Sequence, residues 1–115
     1  MNAEQEIKQI ELGQKEAQRL VDEAKSAESL KKNRHFNRIV HENYFKTEPA
    51  RLTMLLTDPE FQDEASQADI HSRLRAIAHF RDFIKTVTFV GSQAEGALDD
   101  MDKALEEIRA EEDEA

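Results

Sequence analysis

Cysteine and tryptophan are absent from this 115-residue chain, proline occurs twice and glycine three times. Without cysteine there is no disulfide, no thiolate metal site and no nucleophilic thiol. With so few turn-formers the chain lacks the punctuation that sheet-rich folds need. Aromatic residues make up only 6% of it. No apolar run approaches the roughly 20 residues that a membrane-spanning helix requires. The opening stretch MNAEQEIKQIELG places acids where a secretory signal would have a basic and then an apolar region. The expectation is a soluble protein, intracellular where it is made, with no membrane partner.

What the chain does have is 38% hydrophobic and 36% charged residues, the balance of an all-α chain that forms a small helical bundle, a coiled coil or an oligomer. Its net charge of -9 is unevenly spread. Residues 1–46 hold nine Lys/Arg against eight Asp/Glu, whereas residues 47–115 hold seven against seventeen. Lys31, Lys32, Arg34 and Arg38 form a basic cluster, a candidate contact for nucleic acid or an acidic partner. At the other end Glu106, Glu107, Glu111, Glu112, Asp113 and Glu114 form an acidic arm. Such an arm is either a solvated helix end or a contact for a basic partner.

Residues 1–31 read as a long N-terminal helix. Ala3, Ile7, Ile10, Gln14, Ala17, Val21 and Ala24 follow a four-three spacing, a thin stripe in which Ile7, Ile10, Ala17, Val21 and Ala24 are the candidate protein contacts. So narrow a stripe needs a partner, supplied either by the same chain or by another copy in a coiled coil. Residues 32–91 read as the helical core. Asn33 caps a helix from Arg34 to about Lys46 with Phe36, Ile39, Val40 and Tyr44 inward. Pro49 at a first helical position marks a new helix carrying Leu52, Leu55 and Leu56, and Asp58-Pro59 repeats that grammar. The strongest amphipathic pattern is Ile70, Leu74, Ile77, Phe80, Phe83 or Ile84, and Val87. It predicts a central helix over about 68–90 that stops at Gly91. Residues 92–115 then form a separate acidic C-terminal helix with Ala94, Ala97 or Leu98, Met101, Leu105 and Ile108 on its apolar side.

Chemistry is sparse. His41-Glu42 begins like a zinc-hydrolase helix, but Phe45 stands where the second histidine should be. His35 and His41 lie about 600° apart on an ideal helix, hence on nearly opposite sides, and His71 and His79 are separated by about 12 Å of rise. No serine sits in a nucleophile elbow, and the glycines are too scattered for a phosphate loop. No catalytic, cofactor-binding or metal residue is assigned, and a non-enzymatic protein is expected. A helix-turn-helix over Arg34–Leu56 would need a recognition helix rich in bases and amides, and none is there.

The combination Leu30-x-x-Asn33-x-x-Phe36-x-x-Ile39, Tyr44-Phe45, Glu48, Arg51-Leu52, Asp58-Pro59, "AIAHFRDF" and Gly91-x-x-Ala94-Glu95 resembles small all-helical proteins from the structural gene blocks of tailed bacteriophages. The resemblance spans roughly residues 28–98 and brings no active residues with it. It implies a virion structural or assembly protein acting through protein contacts, as a homo-oligomer or on larger virion proteins. Such a protein works in the host cytoplasm during assembly or in the virion. The alternatives are a DNA-packaging factor such as a terminase small subunit, using the basic cluster, and an acidic inhibitor of a host protein, using the C-terminal arm.

Overall fold

The computed structural model describes residues 2–114, so the outermost residues of the two terminal segments, Met1 and Ala115, lie outside it. The fold is all-α, as expected, with no strand among the described residues. In chain order it comprises α1 (Ala3–Lys31), a single turn α2 (Arg34–Phe36), a π-helical segment (Asn37–Thr47), α3 (Glu48–Leu56), a 3-10 turn (Pro59–Phe61) and α4 (Glu64–Glu114). The chain forms two compact units, residues 28–86 and residues 1–27 with 87–115.

Local chemistry sets the helix starts. Asn2 and Gln5 cap α1 reciprocally: the Gln5 amide donates to Asn2 Oδ1 at 2.8 Å and the Asn2 amide to Gln5 Oε1 at 3.3 Å, a capping box. Asn33 caps α2 as predicted, its Oδ1 accepting from the amides of His35 and Phe36 at 2.9 and 3.0 Å. Asn37 Nδ2 donates back to the Lys31 carbonyl at 2.6 Å and so closes the end of α1. Asp58 Oδ1 takes the Glu60 amide at 2.9 Å. Asp63 Oδ2 takes the Ser66 amide at 3.0 Å, which starts α4 earlier than residue 68.

Two expected helix boundaries are not breaks in the helical run, although α3 does begin at Glu48 with Pro49 in its first turn, as expected. No turn precedes Pro49, because Thr47 and Glu48 both keep right-handed helical angles and the π segment runs straight into α3. The Glu48 amide reaches back five residues to the Asn43 carbonyl, and Thr47 Oγ1 donates to the Glu42 carbonyl at 3.0 Å. The wider turn leaves room for a proline ring that would clash with the preceding turn of a regular α-helix. Gly91, likewise, ends nothing: α4 is continuous to Glu114, so the division expected at residues 91/92 falls inside one helix. Gly91 is buried, and a Cβ there would lie 2.2 Å from the Ala24 Cβ and 3.1 Å from the Leu20 carbonyl oxygen. Glycine is present for close helix approach and not for left-handed backbone, since no described glycine has positive φ.

In the unit of residues 1–27 and 87–115, α1 packs antiparallel on the second half of α4. Ala17, Val21 and Ala94 form its buried cluster, flanked by Leu20 and Leu98. Gln14 Nε2 donates to Asp102 Oδ1 at 2.7 Å, and Gly13 lets the Met101 methyl come within 3.2 Å of where a Cβ would be. Small residues along the seam explain how so thin a stripe supports a helix pair: the backbones approach closely and dispersion substitutes for bulk. The partner of α1 is therefore its own chain.

In residues 28–86 the core is Phe45, Leu52, Ile70 and Ile77, with Val40, Tyr44, Leu55, Leu56, Phe61, Leu74 and Ile84 packed around it. Leu52, at 2% exposure, is the most deeply buried. Of the inward residues expected between Arg34 and Lys46, Ile39 is wrong: it is 57% exposed, and Phe45 is buried in its place. The π-helical pitch rolls residue 39 outward and residue 45 inward. At the alternative left between Phe83 and Ile84, Ile84 faces the core and Phe83 is exposed.

Candidate protein-contact site

The π segment carries an aromatic cluster. Phe36 meets His41 edge-on at 5.5 Å, and His41 meets Phe45 edge-on at 5.5 Å. Phe80 of α4 then closes against both Phe45 and Tyr44, at 5.7 and 6.1 Å between ring centroids. Edge-to-face geometry of this kind aligns ring hydrogens with the electron-rich faces of neighbours. His41 is thus a cluster member; its Nε2 is buried with no hydrogen-bond partner among the described residues. Phe45, the residue that breaks the zinc pattern, is the ring against which His41 rests.

The same unit leaves large apolar side chains outside. Phe83 is 63% exposed and Phe80 39%, three residues apart on α4 and hence on adjoining positions of one face. Ile39 and Met54 are also exposed. Scattered apolar side chains are ordinary on a surface, but neighbouring phenylalanines beside a packed aromatic cluster form the kind of patch that contacts another protein.

A groove runs between α3 and the first turns of α4. One hollow, of about 330 Å³, is lined by Leu52, Leu55, Phe61 and Ile70 with Arg51 and Arg73 on its walls. A second, of about 200 Å³, adjoins it across Leu52 and Arg73 and includes Tyr44, Glu48 and Ile77. Arg51 grips Glu48 with both Nε, at 3.0 Å, and Nη2. That hydrogen-bonded guanidinium, with a smaller contribution from Arg73, holds the Glu48 carboxyl below its ordinary range. Arg73 Nε donates to Asp69 Oδ2 at 2.9 Å.

The residues singled out from the sequence fall in separate places. Ala17, Val21 and Ala24 of the α1 stripe are turned onto their own chain, with Ile7 and Ile10 half-buried on that helix. Those three small residues of the stripe are therefore taken up internally. Lys31 pairs with Glu28 at 3.3 Å, whereas Lys32, Arg34 and Arg38 are exposed and have no carboxylate partner among the described residues. Glu106, Glu107, Glu111, Glu112, Asp113 and Glu114 are exposed along the last turns of α4. They stand at the end of a helix whose dipole disfavours anions. Arg109 reaches across to Glu11 at 3.9 Å and does not neutralise them. Among the described residues no group of three or more His, Cys, Asp or Glu is placed to hold a metal ion, and no helix is long and apolar enough to cross a membrane.

Sequence reasoning missed the groove and the buried role of Phe45. A signal for Phe45 exists, since Phe36, His41 and Phe45 recur at five and four residues, the spacing of a wide helical turn. Comparison with protein-family models, with curated proteins and with solved structures finds no match.

Proposed function

We propose that this protein is a non-enzymatic structural or assembly protein of a tailed bacteriophage that acts through helix-mediated contacts with other proteins. The observation that carries the protein-contact part is the apolar face at Phe80 and Phe83, exposed beside the aromatic cluster of the π segment. A chain of modest core that keeps two phenylalanines in water gains by covering them. The phage part rests on the resemblance of residues 28–98. Sedimentation velocity of the full chain, alone and mixed with capsid, portal and tail proteins, tests the proposal. A complex that is lost in Phe83→Ser is expected. A strict monomer that binds none of these proteins would overturn it.

One observation favours the DNA-packaging alternative. Lys32, Arg34 and Arg38 stand exposed and without a carboxylate partner among the described residues, around the turn at Asn33, and clustered free cations suit phosphate. That reading requires binding to duplex DNA that weakens with salt and disappears in Lys32→Ala/Arg34→Ala/Arg38→Ala. For the inhibitor alternative the exposed acidic arm is the support, and deletion of residues 106–115 should abolish activity.

A further inference from the structure

We propose that the basic turn around Asn33 is a docking surface for the acidic C-terminal arm of a second copy of this chain. The inference goes beyond the reading above, which rests on the face at Phe80 and Phe83. Lys32, Arg34 and Arg38 are exposed, and no carboxylate among the described residues pairs with them. The neighbouring Lys31 is already held by Glu28 at 3.3 Å. In the arm, Glu107, Glu111 and Glu114 are exposed, and neither Lys103 nor Arg109, the bases nearest in sequence, pairs with any of them. Each set stands at a helix end whose dipole opposes its sign: cations at the start of the helical run 34–56, anions on the last turns of α4. Neither set serves the helix that carries it, and each gains from an opposite charge brought from outside.

Spacing fits the two together. Arg34 and Arg38 are four residues apart on their helical run, as Glu107 and Glu111 are on α4, so each pair presents two charges one turn apart on one face. Laid antiparallel, the two ladders set Arg38 against Glu107, Arg34 against Glu111 and Lys32 against Glu114. The identity of the occupant follows from where the charge lies. Residues 28–86 hold ten Lys/Arg against nine Asp/Glu, whereas residues 1–27 with 87–115 hold six against sixteen. Two copies that meet through their acidic units repel each other. The turn-to-arm approach instead sets an acidic unit against one that is nearly neutral and offers three free cations. Duplex DNA would bring a negative charge about every 1.7 Å past those three cations; the arm brings three carboxylates to meet them.

Sedimentation equilibrium of the full chain over a range of concentrations tests the proposal, with circular dichroism to confirm the helix content of each variant. The wild-type mass is expected to rise with concentration in about 0.01 M salt and to return to that of the monomer at about 1 M, as the screening length falls from about 30 to about 3 Å. Reversing the turn in Lys32→Glu/Arg34→Glu/Arg38→Glu, or the arm in Glu107→Lys/Glu111→Lys/Glu114→Lys, should weaken self-association about tenfold or more. An equal mixture of the two variants should associate again at low salt, because the intact arm of the first meets the intact turn of the second. Phe83→Ser should keep the salt-sensitive association. A monomer at every salt concentration, association that survives either reversal, a mixture no heavier than its components, or a turn that binds duplex DNA without self-association would overturn the proposal. Capture of capsid, portal or tail proteins through Phe83 is untouched by these outcomes, so the two readings fail separately.

Discussion

Three glycines lie within helices, and adding one methyl group to each should have effects of different sign. In a solvent-exposed helix, Gly→Ala stabilises by about 1 kcal/mol because the unfolded chain loses freedom. At Gly96 nothing lies within 4 Å of the place a Cβ would take, so Gly96→Ala should gain close to that full amount. At Gly13 the nearest atoms are the Met101 methyl at 3.2 Å and sulfur at 3.4 Å, the end of a flexible side chain; Gly13→Ala should gain somewhat less. Gly91→Ala places its methyl 2.2 Å from the Ala24 Cβ, where ordinary contact begins at 3.4 Å, and 3.1 Å from a backbone oxygen. Neither neighbour can rotate away, so α1 and α4 must separate. Overpacking of that kind costs about 1–3 kcal/mol, which outweighs the propensity gain and leaves Gly91→Ala destabilising by about 1 kcal/mol. Urea unfolding followed by circular dichroism measures all three. With a slope of about 1–3 kcal/mol per molar, the Gly96 and Gly91 variants should differ by about 1 M in midpoint. Tyr44, the single tyrosine, reports on residues 28–86 and shows whether that unit unfolds in the same transition. Ala24→Gly in the Gly91→Ala background should recover part of the loss, as a coupling of about 0.5–3 kcal/mol between touching residues. If Gly91→Ala stabilises as much as Gly96→Ala, glycine is not there for helix approach and the packing argument fails.

Phe45→Ala should cost about 3–5 kcal/mol through the cavity left in the core. His41→Leu removes a buried nitrogen without a partner and should be neutral or mildly stabilising; thermal midpoints of the two variants check the contrast. Phe83→Ser should change stability by less than about 0.5 kcal/mol, as an exposed substitution, while reducing association in sedimentation. Asp63 caps α4, and its hydrogen bonds to Ser66, side chain first and then backbone amide, hold its carboxyl below the ordinary 3.8. A depressed carboxylate contributes stability above that value and loses it as pH falls through the lower folded one. Unfolding midpoints between pH 5 and about 2 should therefore fall less steeply in Asp63→Asn, which keeps the cap without the charge; parallel pH profiles would refute the assignment.

Much of this architecture is legible in the sequence because each reading rests on a local cause. Asn33 and Asp58 cap the helical turns that follow them, since a side-chain oxygen next to free amides has few other uses. The stripe Ala17, Val21, Ala24 is a true helix seam, but periodicity says which face is apolar and not what covers it. Only the fold decides between the chain's own α4 and a second copy. Gly91 misleads because a glycine after an apolar run serves equally as a stop or as a close-contact point. Local pattern cannot tell these apart, as the deciding atom belongs to Ala24, far away in sequence. The groove is illegible for a related reason: Arg51 and Arg73 are ordinary helix-surface arginines until α3 and α4 place them on facing walls.

The π segment is the instructive case, because its cause is in the sequence although no α-helical template finds it. Phe36 and Phe45 are nine residues apart. At about 100° per residue that is two and a half turns, which would place the two rings on opposite sides of an α-helix. A helix closed by i→i+5 bonds advances by only about 80° per residue, so nine residues complete almost two whole turns and the rings share a face. His41, five residues after Phe36 and four before Phe45, then falls between them, where the structure has it. From Phe45 onward the spacing to Leu52 is seven residues, an α-helical repeat, and there α3 takes over. Pro49 stands at that junction and has no amide to continue an α-helical ladder. The aromatic spacing and the proline therefore call for the same wide turn, and Ile39, apolar but out of phase with it, is left facing outward.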